Sequence, residues 1–184
     1  MLHAHLTTLH VVSLILEIFA TQHELTETLL AGSGIAATDL DCADTRITRT
    51  QELQVCANAL QLRSDLGLEL GRRMHVSAYG MVGYAALSSA TFGDAWRLML
   101  QYPALLGTYF KLDMHLEGEL AWVSASDYQH APALEVFNLE MGLAQADQRR
   151  PARPASAAQR RAVPLRRTRL QRALPTQLRL SAAV

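Results

Sequence analysis

The sequence predicts an α+β fold, and three observations carry that prediction. Apolar residues recur at helical spacing over most of the first hundred positions, the period changes to two between Phe110 and Ser124, and a helical pattern returns after Pro132. The predicted order is several N-terminal helices, a glycine-rich helical block, a β-hairpin and a following helix. Behind them comes a basic tail that is expected to be disordered. A chain of 184 residues suits one sizeable core, so the expected organisation is one domain over 1–144 and an appendage over 145–184.

The first helix is predicted from Leu6, Leu9, Val12, Ile15, Ile18 and Phe19, whose spacing buries one stripe and leaves Thr7, Thr8, Ser13 and Glu17 outside. The second is predicted from the capping-box pattern Thr21-Gln-His-Glu24 and ends at the glycines of "AGSGI". "DLDCADTRI" is turn chemistry, because aspartates satisfy nearby backbone groups in non-helical conformations. Thr48-Arg-Thr-Gln51 repeats the capping box and launches a helix to about Leu62. Asp65 is placed to cap a shorter helix, which Gly71 is expected to end.

Residues 78–109 hold Gly80, Gly83, Ala85, Ala86, Ser88 and Ser89, small residues that let one backbone approach another element closely. Thr91 is a predicted N-cap with Asp94 in the first turn, and Pro103 removes a backbone donor, so the helix must kink or restart there. In the hairpin, Phe110, Leu112, Met114 and Leu116 point one way and Lys111, Asp113, His115 and Glu117 the other. Gly118 supplies the turn and Leu120–Ser124 returns. Pro132 then opens a helix whose apolar face includes Leu134, Phe137 and Met141.

The formal net charge of zero is a cancellation. Residues 1–144 carry sixteen acidic and seven basic side chains, a balance of −9, whereas 145–184 carry ten arginines against Asp147, a balance of +9. All eleven aromatics and all ten glycines lie before residue 145. The tail has too little to bury against chain entropy. Its arginine, alanine and proline all have codons rich in G and C. A shifted reading frame that cuts the domain short is therefore favoured over an evolved basic arm. As a second reading, Arg149, Arg150, Arg160, Arg161, Arg166 and Arg167 would give weak, salt-sensitive binding to nucleic acid without sequence preference. The acidic first part is unsuited to phosphates.

Cys42 and Cys56 have no Cys-x-x-Cys spacing and read as reduced thiols of a cytoplasmic protein. The apolar run Val11–Ala20 is too short to span a bilayer and contains Glu17. It follows three histidines and no lysine or arginine, so it lacks the positive flank of a signal peptide.

No catalytic pattern is complete, and the chain is expected not to be an enzyme. "HELTE" begins like a metalloprotease helix, but Glu27 stands where the second histidine is needed. Nucleophile-elbow, dinucleotide and phosphate-loop patterns are missing, and no motif calls for a cofactor or a metal. His3, His5 and His10 read as a solvated terminus before a helix, and Asp39, Asp41 and Asp44 as turn formers. The strongest candidate site is a group of aromatics with polar tips, Tyr79, Tyr84, Tyr102, Tyr109 and Trp122, which suit a small-molecule pocket. Each of them is also an ordinary core or rim aromatic when taken alone.

"LLAGSGI", "LGLELGRRM" and "YGMVGYAALSSATFGDAWRLMLQYPALLG", followed by an alternating hairpin, resemble the N-terminal effector-binding, arabinose-binding-like domain of AraC-type transcription regulators. Within that family the resemblance is greatest to the ornithine-utilisation branch. It runs from the N-terminus to about Ala144. It implies a cytoplasmic domain that senses a small metabolite, with an amino acid as one candidate, helps copies of the regulator pair, and passes the signal to a pair of C-terminal helix-turn-helix motifs. The forty residues after Ala144 show no paired helical pattern, so this chain is expected not to read DNA sequence by itself.

Overall fold

The computed structural model describes residues 6–20, 24–42, 44–117, 120–148 and 176–180. The fold is α+β, and the chain divides into two units, one formed by Met1–Ala78 with His130–Gln148 and the other by Tyr79–Gln129 with Arg149–Val184. No helix among the described residues is long and apolar enough to cross a membrane.

The first unit opens on a short strand, β1 (Leu6–Thr8), before helix α1 (His10–Ile18). The sequence pattern extends the helix back to Leu6. The structure instead pairs β1 antiparallel with β2 (Arg46–Thr48), with Thr7 opposite Ile47. Leu6 shares the helical stripe by spacing alone, and the ladder to β2 decides its conformation. Val12 and Ile15 are fully covered on the inner face of α1.

Helix α2 (Leu25–Leu30) starts with Glu24 at its N-cap position and no side-chain cap, while Thr21–His23 lie outside the described residues. It stops where predicted, as Gly32 and Gly34 take φ of +69° and +70°, a region open to glycine at little cost. Its last carbonyls are satisfied from outside, because Asn58 donates from Nδ2 to Leu29 O at 2.9 Å and to Ala31 O at 2.8 Å. The aspartate-rich turn becomes a 3-10 turn over Ala37–Asp41, in which the Asp39 carboxylate accepts the Ala36 amide at 2.8 Å.

Helix α3 (Arg49–Leu62) begins on the predicted box. The Thr48 hydroxyl accepts the Gln51 amide at 3.3 Å and the Gln51 side chain accepts the Thr48 amide at 2.9 Å, so two orphan donors are met reciprocally. Helix α4 (Leu66–Arg73) corrects two expectations. Asp65 sits at its N-cap position without a side-chain cap bond, and its carboxylate pairs with Arg63 Nε at 3.0 Å. Gly71 does not end the helix but lies inside it.

The reason is helix α8 (Glu135–Gln148), which follows a 3-10 turn opened by Pro132. Gly67 and Gly71 form the face of α4 that α8 crosses. A β-carbon on Gly67 would lie 2.8 Å from Glu140 Cβ and 2.9 Å from the Phe137 carbonyl oxygen. On Gly71 it would collide with the Met141 carbonyl oxygen and lie 2.8 Å from Ala144 Cβ. Residues 137, 140, 141 and 144 make one face of α8, so two glycines a turn apart meet a matching ridge. Leu66 and Leu70 complete the seam and are fully buried.

The second unit holds α5 (Gly80–Leu87), α6 (Phe92–Gln101), α7 (Pro103–Leu106) and a three-stranded antiparallel sheet. Thr91 caps α6 by accepting the Asp94 amide at 3.1 Å. Pro103 restarts the chain as α7, which ends at Gly107 with φ of +55°. Trp96 and Met99 give α6 its buried face. The predicted hairpin is β3 (Lys111–Glu117) and β4 (Leu120–Ser126), in register from Lys111 opposite Ser126 to Glu117 opposite Leu120. Gly118 lies outside the described residues.

A third strand, β5 (Thr176–Leu180), pairs with β4, with Val123 opposite Leu178. The expected disorder of 145–184 therefore does not extend to these five residues, nor to residues 145–148, which continue α8 past Ala144. "TQLRL" alternates polar and apolar side chains at the strand period, and β4 offers it an edge.

Candidate functional site

Two groups of side chains have the chemistry of a site, one in each unit. In the first unit the capping box at Thr48 fixes the start of α3 and so places Arg49 and Glu52 three residues apart on one face. Arg49 Nη1 lies 3.3 Å from Glu52 Oε1, and Glu52 is 1% exposed. A carboxylate taken that far from water is tolerated only when paired, and its place in the first turn adds the favourable helix dipole. One turn on, Cys56 is fully buried. Desolvation, then the Glu52 charge, pushes its thiol far above the ordinary range. His130, at the entry to the 3-10 turn before α8, is held below its usual value by burial and then by the Arg49 charge.

Helix α8 adds Asn138 and Gln145, both buried and seven residues apart on one face. The first unit thus buries an anion and two neutral amides, with Arg49 half-covered beside Glu52. This group was missed in the sequence. Neither Arg49 nor Glu52 carries a signal of its own in the sequence, and only tertiary packing buries Glu52.

In the second unit the predicted aromatics occupy distinct surroundings. Tyr109 is buried just before β3, Tyr79 is half-buried just before α5, and Trp122 stands on β4 opposite His115 of β3. Tyr84 and Tyr102 are exposed, Tyr84 on α5 and Tyr102 between α6 and α7. All five belong to one unit, but two of them face solvent. Tyr128 joins the aromatic set unforeseen, with its ring centroid 4.9 Å from that of Phe110 in a tilted pair. Its signal was weak, since a lone tyrosine in a loop has no period.

Arg149, Arg150, Arg160, Arg161, Arg166 and Arg167 lie outside the described residues, as do His3 and His5. His10 opens α1 half-buried, its ring held below the usual value chiefly by burial and further by His75, against the pull of Glu17.

A family described as the arabinose-binding domain of AraC transcription regulators, N-terminal, matches residues 26–184. That match includes the arginine-rich stretch and β5. The ornithine utilization regulator of Pseudomonas aeruginosa is 39% identical over 89 residues, which cover 48% of this chain and 26% of that protein. No solved structure matches.

Proposed function

Because this chain belongs to the AraC family of transcription regulators, as a form of their N-terminal arabinose-binding domain, we propose that it is the part of such a regulator that senses a small metabolite in the cytoplasm. The single observation that carries this reading is the family match over residues 26–184. The ornithine utilization regulator, 39% identical over its matched stretch, supports an amino acid of the ornithine kind as the effector. The aromatic group of the second unit is the proposed binding region. Tyr79 and Tyr109 are covered enough to enclose a ligand, with Trp122 on the neighbouring strand. Tyr84 and Tyr102 are too exposed to add more than a rim, since pockets bury most of a ligand's surface.

Reading of DNA sequence is assigned to a different part of such a regulator. The stretch matched to the ornithine utilization regulator is about a quarter of that protein, and a groove-reading module needs its own helices. What the present domain contributes is the conformational response to its effector.

Thermal unfolding of the purified chain against L-ornithine, L-arginine and L-arabinose tests the proposal. A ligand that binds only the folded state stabilises it by about 2.7 kcal/mol at a hundred times its Kd. A rise in Tm with ornithine or arginine, abolished by Tyr109→Ala, is expected. A rise with arabinose alone would overturn the amino-acid assignment. No rise with any small metabolite in a broad panel would overturn the sensing role itself.

A further inference from the structure

The polar face of the sheet in the second unit gathers residues from three strands, one of them delivered by the far end of the chain. Val123 and Ala125 of β4 are buried, whereas Lys111, Asp113 and His115 of β3 are exposed. Successive residues of a strand belong to opposite faces, and register partners share one. Trp122 and Ser124 of β4 therefore belong to the face of Asp113 and His115, and so do Gln177 and Arg179 of β5. The register sets them in two rows, His115–Trp122–Arg179 and Asp113–Ser124–Gln177.

This juxtaposition has an order. Arg179 stands directly across from Trp122 on one side, and Asp113 lies on the other side, one row along. Two strand spacings of about 4.8 Å and a two-residue step of about 6.8 Å put the backbones of Arg179 and Asp113 roughly 12 Å apart. The ends of the array are opposite in charge, and its middle is aromatic.

The other described arginine and lysine of the unit do not fill the same place. Arg97 is held by Asp94 at 2.8 Å. Lys111 pairs in register with Ser126, four residues along β4 from Trp122, or roughly 14 Å. Arg179 is the cation that the register sets beside the tryptophan. It comes from the stretch after Ala144, which the family match includes to residue 184.

A ligand for this array carries an anion at one end, a cation at the other and an alkyl stem that crosses an aromatic. The two-pronged guanidinium of an arginine matches a carboxylate, a carboxylate matches an ammonium, and an indole offers the stem an apolar surface. An α-amino acid with a second, distal ammonium has these parts.

We infer that β5 completes the effector site of the second unit, with Arg179 as the anchor for the α-carboxylate of a diamino acid, Asp113 as the partner of its distal ammonium and Trp122 between them. This rests on the amino-acid reading proposed above and adds that a strand beyond the arginine-rich stretch selects the effector.

Calorimetric titration of the full chain with L-ornithine, L-ornithinamide and L-norvaline tests it. The amide lacks the carboxylate charge, and norvaline lacks the distal ammonium. Ornithine is expected to bind at least about tenfold more tightly than either, the worth of one charged hydrogen bond. Arg179→Gln should abolish the preference over the amide and keep that over norvaline, and Asp113→Asn should do the reverse. Arg179→Lys, which keeps a charge at the same register position, should retain part of the first preference, and Lys111→Gln should change neither. General loosening of the sheet erodes both preferences together, so their separate loss is the signature of the assigned roles. Equal affinity of the unaltered chain for ornithine and its amide, both preferences intact in Arg179→Gln, or joint erosion of both by either variant overturns the inference while the amino-acid reading stands. Absence of binding by all three ligands overturns that reading and the inference with it.

Discussion

Gly71 of α4 and Met141 of α8 meet with nothing between them but the hydrogen of the glycine. A β-carbon at that position would run into the Met141 carbonyl oxygen, which is backbone and cannot swing aside. Gly71→Ala is expected to destabilise the fold by about 1–3 kcal/mol, the usual range for overpacking. Gly67→Ala should cost less, because its nearest approaches, to Glu140 Cβ at 2.8 Å and the Phe137 carbonyl oxygen at 2.9 Å, are looser than the clash at Gly71. Gly142 is the internal control. Nothing lies within 4 Å of a β-carbon there, so Gly142→Ala should stabilise α8 by up to about 1 kcal/mol. Urea unfolding of the three variants gives the order directly, and equal losses at 71 and 142 would show that the two helices do not cross as described.

The pair Arg49–Glu52 predicts that the double substitution costs less than the single one. Glu52→Ala leaves the Arg49 guanidinium without this partner in a covered site, a loss of roughly 3–5 kcal/mol. Arg49→Met with Glu52→Leu removes both charges and should recover most of it. A double-mutant cycle by denaturant unfolding measures the coupling, and additive losses would mean the pair is not a unit.

Acid should weaken the first unit through His10 and His130. His10 and His130 both bind a proton less readily folded than unfolded, mainly because they are buried. Above the unfolded value of about 6.5 neither state is charged, and the full stability is present. As the pH falls below that value the unfolded chain takes up protons the folded chain refuses, so stability declines toward the lowered folded values. Tm should therefore drop between pH 7.5 and 5.5, and His10→Gln should flatten the drop. Glu69 responds in a lower window, since its bond to Arg63, together with Arg73, holds its carboxyl below the ordinary range.

The two thiols should differ sharply in reactivity. Cys42 is exposed, and a hydrogen bond from the Asp44 backbone, aided by Thr45, lowers its pKa. Cys56 is buried and its thiolate is disfavoured. Titration with an aromatic disulfide reagent should consume one thiol quickly in native buffer and the second only as the chain unfolds. Two fast thiols would contradict the burial of α3.

Much of this architecture was legible in the residues. Thr48 with Gln51 and Thr91 with Asp94 mark helix starts by local chemistry, and the alternation after Phe110 marks a strand by its period. Pro103 restarts a helix because it lacks a donor. What was not legible depends on partners distant in sequence. Gly71 looks like a stop until α8 is laid against it, and Leu6 looks helical until β2 arrives. "TQLRL" is too short to stand out from an arginine-rich stretch without β4 beside it. The candidate site divides in the same way. Aromatics with polar tips are visible one by one, but exposure separates Tyr84 and Tyr102 from Tyr109, and only folding makes Glu52 a buried anion.

The clasp between α4 and α8 has a cost in time as well as a benefit in packing. Residues 74–134 come between its two halves, and Tyr79–Gln129 of the second unit falls wholly inside that interval. On the ribosome, α4 emerges with its notch open and stays so until the whole intervening segment has been synthesised. Closing so wide a loop carries an entropic charge that tighter glycine packing must outweigh. Substitutions that slow the second unit should therefore register first as nascent chains held by chaperones with Leu66 and Leu70 still uncovered.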